Sequence, residues 1–513
     1  MGGDVRHPQP AEGEFGMLTR RGFIKRVSAG TMGLGLLPSL AGVEAGAVSG
    51  RGPNIIIIYV DDLALGDVGA FGCPDFSTPH IDSLARDGVK LTNAYTINAP
   101  CCPSRCGLMM GMYTQRFGKY GQSRGVPIPD DKPTLAETLR DAGYRTGFVG
   151  ALKWDIGRWN QGALDRGFME MGMHPPRVKG AEYFGGGASY IGVDGSYLTE
   201  VEGQYVLEFL ERHGKKRGRP FFMYFTPLAV HIPNEQVPEK YLKRMWPDPA
   251  GGKYSKRQYL GATLLALDDQ IGLILKKLRE LGIEKDTLIL FSSDNGGDPQ
   301  AGCRPDPYRG GKNPAPYTQW EGYYRMPTML TFPGTLPAGK EYGGMASTID
   351  FYATAAAVAG VKLPGHCEGK DLLPLLSGEK EPNPDEALFW NTHKVQAARW
   401  KQWRIVKYDK ETTWRLYNIE KDPAEKIDLS AKQAEIVKEM DKQYHAWLKQ
   451  MPQPCSEVRT PEALLRHYGH PLNGSHARLP FGRGWMTVEK WDKIKDDPTQ
   501  WSEMHVRQRM LNS

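Results

Sequence analysis

Asn54-Ile55-Ile56-Ile57-Ile58-Tyr59-Val60 is the stretch that decides the fold. It is continuously apolar and β-branched, with no polar alternation, which is how a strand buried on both faces of a parallel sheet reads. Pro220-Phe221-Phe222-Met223-Tyr224-Phe225 and Thr287-Leu288-Ile289-Leu290-Phe291-Ser292-Ser293 have the same character. Helical patterns lie between these runs. Thr134 to Gly143 has apolar helical spacing and ends in Gly, and Tyr259 to Leu281 is a long amphipathic helix that leads into the strand at Thr287. Strand alternating with helix predicts an α/β protein with a large mixed, mostly parallel sheet flanked by helices.

Near Pro382-Asn383-Pro384 the pattern changes to short strands rich in Trp, Arg and Tyr, at Gln396 to Tyr408 and Thr413 to Tyr417. A helix from about 431 to 450 follows, so a smaller C-terminal α+β domain carrying an antiparallel sheet is expected. The expected divisions are an N-terminal extension with a signal at 1–50, a large catalytic domain at 51–385, a small subdomain at 386–455 and a polar extension at 456–513 with no assigned role.

The composition is that of a globular protein, with 40% hydrophobic and 24% charged residues, no long low-complexity tract and no internal repeat, so neither disorder nor a solenoid is favoured. A formal charge of +6 is modest for 513 residues, and no clustered basic face points to nucleic acid. Seven cysteines (73, 101, 102, 106, 303, 367 and 455) are too few for a disulfide scaffold, and their spacing fits no zinc motif. The crowding of Cys101, Cys102 and Cys106 points to chemistry instead. Thr19-Arg20-Arg21-Gly22-Phe23-Ile24-Lys25 is a twin-arginine pattern, followed by a mild apolar stretch from Val27 to Leu40. Gly30, Gly33, Gly35 and Pro38 interrupt that stretch, which falls short of the roughly 20 apolar residues that span a bilayer. The expectation is a removable signal read by the Tat export machinery, no stable membrane span, and a periplasmic or extracellular destination.

Asp61-Asp62 follows the first strand at once, and Asp294-Asn295 follows the strand ending at Ser293. Ligands of open α/β sheets bind outside the carboxyl ends of the strands, so three carboxylates and an amide oxygen are expected at one edge. Either pair alone reads as a solvated strand end. Together they make an oxygen-only set suited to Ca²⁺ or Mg²⁺ rather than zinc. Between them lies Pro100-Cys101-Cys102-Pro103-Ser104-Arg105-Cys106-Gly107. Pro103 is suited to a helix opening, which puts Cys101 at or just before a helix N-terminus, where anions are favoured.

Cys101-x-Pro-Ser-Arg resembles the signature of type I, formylglycine-dependent sulfatases of the alkaline phosphatase superfamily. Other blocks resemble that family in order: Pro53 to Asp62 with Gly66-Asp67, Ser77 to Asp82, Leu290 to Gly297, Arg309-Gly310-Gly311-Lys312, Trp320-Glu321-Gly322 and Arg325-Met326-Pro327, then Leu416-Tyr417-Asn418 with Asp422 to Lys426. The resemblance runs from about Pro53 to Gln450 and implies an alkaline-phosphatase-like fold. It also implies oxidation of Cys101 to formylglycine by a formylglycine-generating enzyme, and Ca²⁺ held by Asp61, Asp62, Asp294, Asn295 and residue 101. One hydroxyl of the hydrated aldehyde would attack sulfur, and the second would help expel sulfate. Arg105, Lys153, His231 and Lys312 would surround the sulfate with positive charge, with His231 and Lys312 sharing proton donation to the leaving group. The chain departs from the family at Ala151-Leu152-Lys153-Trp154-Asp155-Ile156-Gly157, where Asp155 replaces a histidine credited with accepting a proton during aldehyde re-formation. A carboxylate with a reference pKa near ~3.9 is a weaker base than imidazole unless its surroundings raise that value.

The expected substrate is a sulfated carbohydrate or another sulfate ester. Two other readings are a phosphonate monoester or phosphodiester hydrolase of the same superfamily, and a catalytically weak relative that binds sulfated glycans.

Overall fold

The computed structural model describes residues 52–121, 126–151, 162–173, 190–192, 194–215, 218–313, 317–392, 394–455 and 484–487. Strand β1 (Asn54–Val60) lies inside a nine-stranded sheet. Its side chains divide by parity between two cores. Ile56, Ile58 and Val60 enter one hydrophobic cluster, while Ile55, Ile57 and Tyr59 enter the cluster on the other face. Both faces are dry, which is why the run lacks polar alternation. Each fully buried aliphatic side chain here contributes roughly 1.5–3 kcal/mol before the entropy of ordering it.

The remaining strands are β2 (Val89–Leu91), β3 (Ala94–Tyr95), β4 (Arg145–Gly150), β5 (Glu170–Met173), β6 (Phe221–Thr226), β7 (Thr287–Ser293), β8 (Thr328–Thr331), β9 (Lys340–Tyr342), β10 (Ala346–Ser347), β11 (Ala387–Asn391), β12 (Val395–Trp400), β13 (Trp403–Tyr408), β14 (Arg415–Asn418) and β15 (Gly484–Thr487). The large sheet has the order β15-β5-β4-β6-β1-β7-β8-β2-β9. It is parallel from β5 to β7, antiparallel at β7–β8, β8–β2 and β15–β5, and parallel again at β2–β9. A separate parallel pair joins β3 and β10. This is the expected mixed, mostly parallel α/β architecture.

One face of the sheet carries α1 (Pro79–Arg86), α4 (Leu198–His213) and α5 (Lys256–Glu280), and the other carries α2 (Cys101–Met110), α3 (Leu135–Asp141) and α6 (Asp350–Val358). Helix α5 starts three residues before the Tyr259 read from the sequence. The cause is a capping box: Gln258 donates its N–H to Ser255 Oγ at 3.2 Å, and Ser255 donates its N–H to Gln258 Oε1 at 2.9 Å. Thr134 and Glu137 cap α3 in the same way, which sets its first residue at Leu135; the helix runs to Asp141, within the expected 134–143.

The C-terminal four-stranded antiparallel sheet is β11-β12-β13-β14. Sequence reading found its second to fourth strands but not β11. Helix α7 (Ala434–Leu448) covers it through Met440, Tyr444 and Trp447. A buried ion cluster joins this sheet to the large domain. Arg404 pairs with Glu425 and, at 3.2 Å, with Glu321, while Arg325 reaches Glu321 at 3.2 Å. Within the extension at 456–513, β15 has a place: it pairs antiparallel with β5, Thr487 opposite Glu170.

Glu170 is buried and receives Arg145 at 2.9 Å, His213 at 2.6 Å and Arg212. Burial alone would raise its pKa, but the bonds from His213, Arg145 and Arg212 outweigh it and bring the carboxyl down to about 2 from 4.5. A depressed carboxyl stabilises the fold above its unfolded pKa, and that contribution disappears as pH falls toward the folded value. Glu170→Gln should therefore cost on the order of 2 kcal/mol at neutral pH, allowing for solvent around Arg212. Its stability should also fall less steeply than the parent's between pH 4.5 and 2, as urea midpoints across that range would show.

Candidate active site

The register of β1 against β7 sets Val60 opposite Ser293, so the residues that follow, Asp61 and Asp294, leave the sheet side by side. Asp294 donates its N–H to the Val60 carbonyl at 3.0 Å, and Asp62 donates its N–H to Asp294 Oδ1 at 3.1 Å. Adjacent residues of an extended strand would point to opposite faces. Asp62 instead has φ 61°, a left-handed conformation that costs a non-glycine residue roughly 1–2 kcal/mol. The turn lets both carboxylates enter one cluster.

Cys101 is the first residue of α2, and Arg105 lies one turn further on the same face. Ligand atoms of Asp61, Cys101 and Asp294 lie within 4.8 Å of one another, as do those of Asp61, Asp62 and His231. Helix α2 is fixed to β1 by Ser104, whose hydroxyl is 2.6 Å from Tyr59 Oη and accepts from Thr96 at 2.8 Å. The sequence singled out Ser104 as part of a motif, and the structure gives it this anchoring contact.

Arg105 is fully buried. Its Nε and Nη2 donate to Asp294 Oδ2 at 2.9 and 2.6 Å, Nη2 lies 3.4 Å from Asp61, and Nη1 donates to the Ala151 carbonyl at 2.9 Å. Desolvation works against its charge, but Asp294 and Asp61 more than compensate and raise its pKa well above the ordinary value. Lys312 donates to Asp62 Oδ1 and Oδ2 at 2.9 and 2.7 Å. Burial likewise opposes its charge, and Asp62, Cys101 and Asp61 hold it protonated well above the usual lysine range. Lys312 arrives through a close backbone crossing, in which its N–H bonds the Gly297 carbonyl at 3.0 Å. Gly311 has φ 152°, and a Cβ there would sit 2.7 Å from that carbonyl and 2.6 Å from Pro299.

His231 follows β6, with Nε2 3.7 Å from Asp62 Oδ2. Its Nδ1 donates to the Ile232 carbonyl at 2.7 Å. Asn295 Nδ2 donates to Asp62 Oδ1 at 2.7 Å, which leaves Asn295 Oδ1 buried with no hydrogen-bond donor among the described residues. A buried amide oxygen without a donor, beside three carboxylates, suits a hard cation. Asp61, Asp62, Cys101, Arg105, His231, Asp294, Asn295 and Lys312 thus form one cluster, while Lys153 and Asp155 lie outside the described residues. Sequence reading missed Tyr190, whose hydroxyl reaches the backbone on both sides of the His231 turn. A lone Tyr in a Gly-rich segment carries no signal for that contact.

The family model for sulfatases matches residues 53–361, and the model for the C-terminal part of N-sulphoglucosamine sulphohydrolase matches residues 318–451. Arylsulfatase A of Bos taurus is 31% identical over 386 residues, covering 68% of this chain and 72% of its own. N-acetylgalactosamine-6-sulfatase of Canis lupus familiaris is 30% identical, covering 67% of this chain and 69% of its own. Among solved structures, Ps i-CgsB in complex with k-i-k-neocarrahexaose superposes with a TM-score of 0.70 at 26% identity, over 82% of this chain and 98% of that one. With a family match across more than half its length and relatives of this extent, the chain belongs to the sulfatase family of the alkaline phosphatase superfamily and is a sulfuric ester hydrolase.

Proposed function

We propose that the protein hydrolyses sulfate esters of a sulfated carbohydrate, with formylglycine at position 101 and Ca²⁺ held by Asp61, Asp62, Asp294, Asn295 and residue 101. The observation that carries this reading is the convergence of Asp61, Cys101 and Asp294 within 4.8 Å at the start of α2. Oxidised and hydrated, residue 101 supplies the oxygen nucleophile, and the cation supplies Lewis acidity. The chain's own groups do the rest. Arg105 holds Asp294 in place through two bonds to one oxygen. Lys312 and His231 converge on Asp62, where both can face the sulfate oxygens and pass a proton to the departing alcohol. Lys153 and Asp155 are proposed to add a sulfate contact and a base. Export by the Tat route to the periplasm or beyond, after modification by a formylglycine-generating enzyme, follows from the twin-arginine segment. Among the described residues no helix is long and apolar enough to cross a membrane.

The test is a peptide mass around Cys101 on protein made with a formylglycine-generating enzyme, followed by an aryl sulfate assay with and without a calcium chelator. A loss of about 18 Da, with turnover that the chelator abolishes and calcium restores, is expected. An unmodified Cys101 beside undiminished turnover would remove the aldehyde from the mechanism, and faster turnover of a phosphate diester would reassign the substrate.

A further inference from the structure

His231 sits on a turn held from behind by Tyr190 and Glu202, which have no part in the reaction as proposed. Tyr190 is buried, and the single proton of its hydroxyl is shared between two acceptors, the Leu228 carbonyl at 2.9 Å and the His231 carbonyl. The same turn is held by Glu202, which accepts the Leu228 N–H at 3.3 Å, and by the Asp61 carbonyl, which accepts the Val230 N–H at 2.9 Å. Tyr190 is itself fixed. Its N–H donates to Gln236 Oε1 at 2.6 Å, and its ring packs against Tyr197 at a centroid distance of 5.9 Å. Burial, reinforced by Tyr197, Asp61 and Glu202, raises its pKa well above the ordinary phenol, so it remains a donor. The bond from His231 Nδ1 to the Ile232 carbonyl fixes which nitrogen faces Asp62: Nε2.

We propose that Tyr190 is a positioning residue that sets the backbone of the His231 turn, and with it the distance from Nε2 to the departing oxygen. The inference rests on the reading of His231 as a proton donor. In that step the bond from sulfur to the alcohol oxygen breaks, the electron pair stays on oxygen, and oxygen takes the proton from Nε2 of the His231 imidazolium, leaving a neutral ring whose Nδ1–H stays on the Ile232 carbonyl. An acidic phenol leaves readily without this proton, whereas a weakly acidic one needs it. Loss of the Tyr190 hydroxyl should therefore act in proportion to leaving-group basicity, which a general loosening of the fold would not do.

The experiment compares kcat and KM of Tyr190→Phe on 4-nitrophenyl sulfate and phenyl sulfate, with His231→Ala as reference. Tyr241→Phe serves as a control, since Tyr241 packs on Tyr197 but bonds Glu200. We expect Tyr190→Phe to lower kcat roughly tenfold on phenyl sulfate and less than about threefold on the nitrophenyl ester, with KM changed by less than about twofold. Gln236→Ala, which releases the Tyr190 backbone, should give the same pattern more weakly, and it decides the matter if Tyr190→Phe fails to fold. Tyr241→Phe should show no leaving-group dependence. Equal losses on both esters in Tyr190→Phe and Gln236→Ala, beside an unequal loss in His231→Ala, would overturn the assignment of Tyr190. Equal losses in His231→Ala itself would overturn the reading of His231 on which it rests.

Discussion

Cys101→Ala is expected to lower turnover of an aryl sulfate by at least ~10⁴-fold, because the substitution removes the only precursor of the proposed nucleophile. The fold should survive. Cys101 is a small side chain at the first position of α2, and alanine is the best helix former. Ser104, bonded to Tyr59 and Thr96, still holds the helix against β1. Circular dichroism should thus give a melting temperature within a few degrees of the parent's beside an activity at background. Retention of more than about one per cent of the activity in Cys101→Ala would place the nucleophile elsewhere.

Asp294→Asn should damage both stability and activity. Arg105 is fully buried, and Asp294 accepts two of its hydrogen bonds, so the neutral amide leaves a buried guanidinium with Asp61 as its nearest described carboxylate, at 3.4 Å. Removing one partner of a buried pair costs roughly 3–5 kcal/mol, most of it the penalty of an uncompensated charge. For a chain of this length that corresponds to a melting temperature lower by about 3–5 °C. The double variant Arg105→Met/Asp294→Asn removes the stranded charge as well, and should recover most of that stability while remaining inactive. Thermal melts of the two variants separate these effects. If the single variant melts like the parent, the pair does not carry the electrostatic load assigned to it.

How far the sequence could be read depended on whether a segment's chemistry is local. Strands β1, β6 and β7 were legible because burial on both faces demands an unbroken apolar run. β4 was not, since Arg145-Thr146-Gly147-Phe148-Val149-Gly150 contains two glycines that lower its strand character. The reason for Gly147 is tertiary: a Cβ there would lie 2.4 Å from the Phe209 ring of α4. β11 escaped notice beside Pro382 and Pro384, and β15 is four residues in a polar tail. At the site, Asp61, Asp62, Asp294 and Asn295 could be placed from strand ends alone. Lys312 and His231 came only through family resemblance, because an irregular turn after β6 and a long segment after β7 bring them to Asp62 and no periodicity describes such a path. Tyr190 was invisible for the same reason, its contact being made across space to carbonyl groups.

The pairing of β15 with β5 also sets an order of events during synthesis. The two strands are separated by roughly 300 residues of chain, so the partner that β5 has on its outer side among the described residues is made only about 300 residues after β5 itself. At ~5–20 residues per second that interval is roughly 15–60 s. For that time the row of N–H and C=O groups along β5 is open to pairing with a neighbouring nascent chain, and the arrival of β15 removes the hazard.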